Sequence, residues 1–207
     1  MRLIVFSSSD RSISEAKEVK EMFDHGLEHF HLRKANFNQN ELCAYLDVIP
    51  KEYHKRIVLH SNHHLKKAYK LGGLHLSRTH RKKKYKSNWK FWKFKVVNSK
   101  LYFTRTYSKL STLSEDKRVY KYVFLSPIYN SISKNGHSGN FGNRSITKYV
   151  NLAKSPVIAL GGVEIDKFEE CKSLGFEGVA LLGAVWNDEN LSPLQVFLKA
   201  KEAAKSL

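Results

Sequence analysis

Short apolar runs, each ended by turn residues, recur along the chain. They are Arg2–Ser7 (RLIVFS), His29–Arg33 (HFHLR), Arg56–His60 (RIVLH), Gly73–Leu76 (GLHL), Leu101–Arg105 (LYFTR), Tyr120–Leu125 (YKYVFL), Val157–Leu160 (VIAL) and Gly178–Leu182 (GVALL). Runs of this length, many of them β-branched, predict strands buried on both faces. Between them the apolar spacing lengthens. Ile13–His25 sets Ile13, Ala16, Val19, Met22 and Phe23 on one helical face. Asn40–Ile49, Leu65–Leu71, Ser108–Asp116, Ser145–Ala153, Ile165–Leu174 and Pro193–Ser206 follow the same pattern less regularly. Gly26, Gly72 and Gly175 stand just before strands, where a left-handed helix cap is expected. Alternation of this kind predicts a single-domain (β/α)8 TIM barrel over residues 1–207. An open doubly wound sheet is the competing topology, but eight strands in 207 residues suit closure better.

One segment breaks the rhythm. Residues 78–100 read RTHRKKKYKSNWKFWKFKVVNSK, ten basic residues interleaved with Tyr85, Trp89, Phe91, Trp92 and Phe94. The fourth helix is expected to be replaced here by an irregular or strand-like insertion. Aromatics that stack on bases and lysines that hold phosphates suit nucleic acid. The simpler reading, which we favour, has the aromatics covering the barrel wall while the lysines face water.

Composition adds limits. Hydrophobic residues make up 42% and charged residues 27%, as in ordinary globular proteins. No apolar run approaches the ~18 residues that cross a bilayer, and the first apolar stretch is too short for a signal peptide. Cys43 and Cys171 lie far apart in helical patterns and read as free thiols, so a reducing, cytoplasmic setting is expected. The net charge of +17 would suit polyanionic ligands, phosphorylated small molecules or nucleic acid, but from charge alone a generally basic, solvated surface is the favoured reading. No membrane partner is expected, nucleic acid is the weaker alternative, and a homo-oligomer is left open.

In such barrels the active site lies at the C-terminal ends of the strands, with phosphate near the last two. The seventh run ends in Leu160-Gly161-Gly162-Val163 and the eighth in Leu182-Gly183-Ala184. Small residues let backbone N–H groups approach an anion, so Gly161, Gly162, Gly183 and Ala184 are candidate phosphate ligands. After the sixth run, Ser126-Pro127-Ile128-Tyr129-Asn130-Ser131-Ile132-Ser133-Lys134 precedes a stretch containing Gly136, Gly139 and Gly142. Ser131, Ser133 and Lys134 would suit a second phosphate group or a diphosphate; a polar surface loop is the alternative.

Taken in order, these motifs resemble the thiamine phosphate synthase family, which includes a branch of thiazole tautomerases. The resemblance rests on His-Leu-Arg after the second strand, Gly-Leu-His-Leu at the fourth, Ser-Pro-Ile-Tyr-x-Ser-x-Ser-Lys after the sixth, and Val-Ile-Ala-Leu-Gly-Gly with Gly-Val-Ala-Leu-Leu-Gly-Ala at the end. It runs from Arg2 to about Trp186 and is weakest across Thr79–Lys100. The family implies condensation of hydroxymethylpyrimidine diphosphate with a thiazole phosphate, the diphosphate leaving with magnesium help. Carried over by position, Arg33, Ser131, Ser133 and Lys134 would contact diphosphate, and Gly161, Gly162, Gly183 and Ala184 the thiazole phosphate.

Several positions depart from the family pattern. Gln-x-Arg-Glu-Lys after the second strand reads His31-Leu32-Arg33-Lys34-Ala35 here, the histidine being a tautomerase feature. Asn-Asp after the third strand is replaced by His60-Ser61, and His80 stands near the place of a second aspartate. Mg2+, expected as the family's cofactor, thus lacks its carboxylates, and imidazole does not replace them. Arg33, Lys34, Arg78, Arg81 and Lys134 are then the candidates for taking the leaving charge. The tautomerase histidine after the fifth strand falls at Ser108. Of the histidines near the third and fourth strands, His60, His63, His64, His75 and His80, no dedicated metal site is expected. His31 and His60 are instead the expected substrate-contacting or proton-transferring groups, with Arg33 and Lys134, and His75 is assigned to the core or to a supporting position. The alternatives to a synthase are a metal-independent thiazole phosphate tautomerase and a non-catalytic phosphate-binding barrel.

Overall fold

The computed structural model describes residues 1–77, 93, 96, 101–129 and 141–207. Eight strands close into a barrel: β1 (Arg2–Phe6), β2 (His29–Leu32), β3 (Ile57–Leu59), β4 (Gly73–His75), β5 (Tyr102–Tyr107), β6 (Tyr122–Leu125), β7 (Val157–Leu160) and β8 (Gly178–Leu181). Every neighbour pair is parallel, and β8 returns to β1 through Arg2↔Gly178 to Val5↔Leu181. The expected (β/α)8 barrel is the observed one. Among the described residues the bounded helices are α1 (Glu15–Asp24), α2 (Gln39–Val48), α3 (Leu110–Glu115), α4 (Asn143–Leu152), α5 (Phe168–Ser173), α6 (Gly183–Trp186) and α7 (Pro193–Lys205). Lys93 and Val96, the described positions of 78–100, are helical where an irregular or strand-like segment was expected. No helix among the described residues is long and apolar enough to cross a membrane.

Local chemistry sets the helix starts. Asn38 accepts from the Glu41 N–H while the Glu41 carboxylate accepts from the Asn38 N–H, a reciprocal cap for α2. Ser192 and Gln195 repeat the arrangement at α7, with Pro193 in the first turn. The helix expected at Leu65–Leu71 is instead a short 3-10 turn at His63–Lys66 followed by turns, bracketed by Asn62 and Lys70 in left-handed backbone. So few residues between two left-handed positions cannot propagate an α-helix. Gly26 and Gly175 take the left-handed caps expected of them, with φ of 90° and 91°, but Gly72 does not. Lys70 fills that role, and Gly72 is small for another reason: a Cβ there would lie 1.8 Å from the Lys55 carbonyl oxygen.

Alternation along the strands separates two apolar regions. An outer shell between strands and helices contains Val5, Phe30, Leu32, Leu59, Leu74, Leu125, Ala159 and Leu181, with Val19, Phe23, Leu46, Phe168 and Phe197 from the helices. A smaller inner cluster fills the lumen with Ile4, Phe6, Tyr122, Phe124, Ile158 and Ala180. Glycine makes the lumen's packing feasible, since a Cβ on Gly73 would sit 2.5 Å from the Tyr102 ring. Gly73→Ala is therefore expected to destabilise the fold by about 1–3 kcal/mol through overpacking. Urea denaturation would measure it, and the penalty should shrink in a Tyr102→Leu background; an unchanged penalty would place the strain elsewhere.

Candidate active site

A cleft of about 1030 Å3 opens at the C-terminal ends of the strands, lined by Phe6–Ser9, Arg33, Ala35, Asn36, Ser126, Pro127, Leu160–Asp166, Ala180, Leu182–Ala184, Asn187, Asp188 and Val196. Four of the sequence-derived phosphate candidates meet here. Gly161 and Gly162 follow β7 with φ of 92° and 66°, a backbone that L side chains rarely adopt. A Cβ on Gly161 would also approach Pro127 Cα and Ser126 Oγ to 3.0 Å. Gly183 and Ala184 line the cleft from the first turn after β8. Among the described residues, nothing accepts from the N–H groups of Gly161, Gly162, Gly183 or Ala184. All four residues line one wall of the cleft.

Arg33 faces the cleft and is exposed. Its backbone N–H donates to Ser7 Oγ at 2.9 Å, which fixes the exit of β2 against that of β1. Lys34 is not a partner for diphosphate. Its Nζ is buried, 2.6 Å from Glu15 Oε2, and also donates to Ser8 Oγ at 3.0 Å and to the Asp10 carbonyl at 2.8 Å. Lys34, one residue before the place where the resemblance puts a ligand-binding lysine, is instead the partner of a buried carboxylate. Ser131, Ser133, Lys134, Arg78, His80, Arg81 and most of the basic-aromatic segment lie outside the described residues.

The lumen beneath the cleft is polar on one side. His31 is fully buried on β2, stacked on Phe6 at 4.7 Å and edge-on to Phe124 at 4.9 Å. Its Nδ1 lies 2.9 Å from His60 Nε2, and its Nε2 lies 2.7 Å from the Tyr122 hydroxyl. His60, half-buried just past β3, stacks on His75 with ring centroids 4.1 Å apart. His75 in turn pairs its Nδ1 with Thr104 Oγ1 at 2.9 Å. His75 therefore belongs with His31 and His60. Its inward parity on a four-residue motif, Gly73-Leu74-His75-Leu76, was the available signal. His64 is exposed and bonded to Gln39, and so stands apart.

Burial holds both His31 and His60 well below the ordinary imidazole range, helped by His75 and His29 for His31 and by His75, His31, Arg33 and His63 for His60. His29, one layer deeper, is lowered to about 4, first by burial and then by Arg2, Lys121 and Arg56. Burial also raises the Tyr122 hydroxyl well above its usual value. At neutral pH the pair is thus two neutral imidazoles sharing a hydrogen bond, next to a neutral phenol. Such a chain can accept a proton at one end and release it at the other.

Mg2+ does not fit this donor set. Among the described residues, the trio of His, Cys, Asp or Glu side chains whose ligand atoms converge is His31, His60 and His75, with no carboxylate in it. Glu164, Asp166 and Asp188 line the opposite rim, beyond β7 and β8.

A family model described as thiamine monophosphate synthase matches residues 2–185. The thiamine-phosphate synthase of Staphylococcus saprophyticus is 28% identical over 72 residues, so the matched segment spans about a third of this chain (34%) and a third of that relative (34%). The crystal structure of thiamine phosphate pyrophosphorylase from Bacteroides thetaiotaomicron superposes with a TM-score of 0.79 at 28% identity, covering 99% of this chain and 98% of that one. The corresponding protein of Pyrococcus furiosus gives 0.75 at 18% identity, covering 99% and 96%, and shares the fold. With the family match running from the first strand to the turn after the eighth, this chain belongs to the thiamine monophosphate synthase family.

Proposed function

We propose that this barrel, acting as one unit over residues 1–207 with 78–100 as an insertion-like segment, joins hydroxymethylpyrimidine diphosphate to a thiazole phosphate and releases diphosphate. The observation that carries this reading is the cleft wall of Gly161, Gly162, Gly183 and Ala184, whose N–H groups are open to a phosphoryl group. Relatives named as thiamine-phosphate synthases and pyrophosphorylases support the same substrate class. In this reading the C–O bond to diphosphate breaks, its electron pair leaves with the diphosphate, and the thiazole nitrogen forms the new C–N bond. Arg33 takes part of the leaving charge, and Ser131, Ser133 and Lys134 take the rest. Of the two histidines expected to contact the substrate or transfer protons, His60 is the half-buried one, and His31, fully buried, acts only through its hydrogen bond to His60.

A coupled assay for diphosphate, run with both substrates and with Mg2+ or EDTA, tests the proposal. Arg33→Ala should lower kcat/KM about 10- to 100-fold, the weight of a charge-assisted hydrogen bond. No diphosphate release from the unaltered protein would sink the synthase reading. The hydrogen-bonded neutral His31–His60 pair specifically favours a second reading, isomerisation of the thiazole phosphate by proton transfer. In that case the product is an isomer, no diphosphate appears, and His60→Asn abolishes turnover.

A further inference from the structure

We propose that His31, His60 and His75 bind a divalent transition-metal cation of the zinc and cobalt class, inside the mouth of the barrel. Their ligand atoms already lie within 4.8 Å of one another. In a tetrahedral zinc site, imidazole nitrogens about 2.0–2.1 Å from the ion stand roughly 3.3 Å apart. The His31 Nδ1 to His60 Nε2 separation of 2.9 Å is close to that spacing, and rotations of the rings, without movement of the strands, would complete it.

The scaffold suits a metal centre in two further ways. The three residues come from the ends of consecutive strands, β2, β3 and β4, whose parallel ladders hold their backbones in register. Two of the rings are oriented from behind. His31 Nε2 meets the buried Tyr122 hydroxyl at 2.7 Å, and His75 Nδ1 meets Thr104 Oγ1 at 2.9 Å. Oxygen partners on the distal nitrogen are what fixes the tautomer and aim of a metal-binding imidazole. An ion would take the place of the hydrogen bond between His31 Nδ1 and His60 Nε2 and of the 3.4 Å contact between His75 Nε2 and Thr106 Oγ1.

Donor chemistry selects the ion. Three imidazoles match zinc, cobalt, nickel or copper, whereas magnesium and calcium require oxygen. His60 is the half-buried member, so the ion would arrive past its ring and keep a position open on that side. Three protein ligands and one open position are the pattern of reactive zinc sites, where the fourth place takes water or an oxygen of a bound anion.

The test uses the whole chain, stripped with a chelator and titrated with Co2+ while visible d–d absorption is followed, then with Zn2+ as competitor. One equivalent per chain with a tetrahedral spectrum is expected, displaced by Zn2+ and unaffected by excess Mg2+. His60→Gln should weaken Co2+ binding by roughly 100-fold or more, while His64→Gln leaves it unchanged. Absence of a tetrahedral cobalt spectrum, or binding that survives His60→Gln, would overturn the site and leave the trio as a proton relay alone. Should His60→Gln fail to fold, imidazole 15N resonances of the unaltered protein decide: zinc must shift three histidines together. None of these readouts depends on turnover, so their failure leaves the synthase reading standing.

Discussion

Replacing Lys34 with Met should lower the unfolding free energy by about 3–5 kcal/mol, because it strands a buried carboxylate. The Lys34 and Glu15 side chains are 1% and 5% exposed. Glu15 is held on both oxygens: Oε2 takes Lys34 Nζ together with the Ser8 N–H and hydroxyl, and Oε1 takes the Tyr45 hydroxyl at 2.7 Å. The network ties the segment after β1, the start of α1, the exit of β2 and the face of α2 in one place. Glu15→Gln should cost less, since the amide still accepts one bond. A Lys34→Met/Glu15→Leu double variant should recover much of the loss, because the attraction within a buried pair only about offsets its desolvation. Urea denaturation of the three variants measures this. A loss below 1 kcal/mol in Lys34→Met would mean that the ammonium reaches solvent and is available to a ligand after all.

The second large effect is with acid. His29, His31 and His60 have folded-state pKa values below the unfolded 6.5, chiefly through burial. As pH falls, the unfolded chain takes up protons that the folded chain refuses, so stability drains away. It is fully present above about pH 6.5 and declines toward each folded value, which for His29 is about 4. Each such histidine contributes about 1.4 kcal/mol per pH unit within that window. Because the unfolded imidazoles are only half protonated at pH 6.5, each loses about 1 kcal/mol and the three together roughly 3 kcal/mol between pH 6.5 and pH 5.5. Denaturant midpoints measured in the presence of a chelator at both values test this. Equal midpoints would mean that the lumen is wet enough to solvate imidazolium.

Much of the barrel was legible in the sequence because buried parallel strands are continuous apolar runs, and the family motifs fall at their ends. All eight strands were anticipated, with ends that differ by a few residues: β5, for example, extends to Tyr107 where the reading stopped at Arg105. Leu65–Leu71 misled because a helical spacing over seven residues carries no information about backbone handedness, which Asn62 and Lys70 decide. Two features of the site were out of reach for physical reasons. Lys34 reads as a cleft lysine until its partner Glu15, nineteen positions earlier, is brought beside it by packing. The convergence of His75 with His31 and His60 depends on how far neighbouring strands are staggered around the closed sheet. A linear pattern gives the inward parity of a residue and not its height.

Because the lumen's side chains form a cluster separate from the larger shell outside the strands, the two carry separate burdens. The shell supplies most of the cohesion and constrains every second residue of each strand. The alternate residues inside pack against one another in a smaller group, so a substitution there is felt by its lumen neighbours before it reaches the shell. Adjusting the inner wall therefore tunes what the barrel's mouth offers a ligand without redrawing the packing that holds strands to helices.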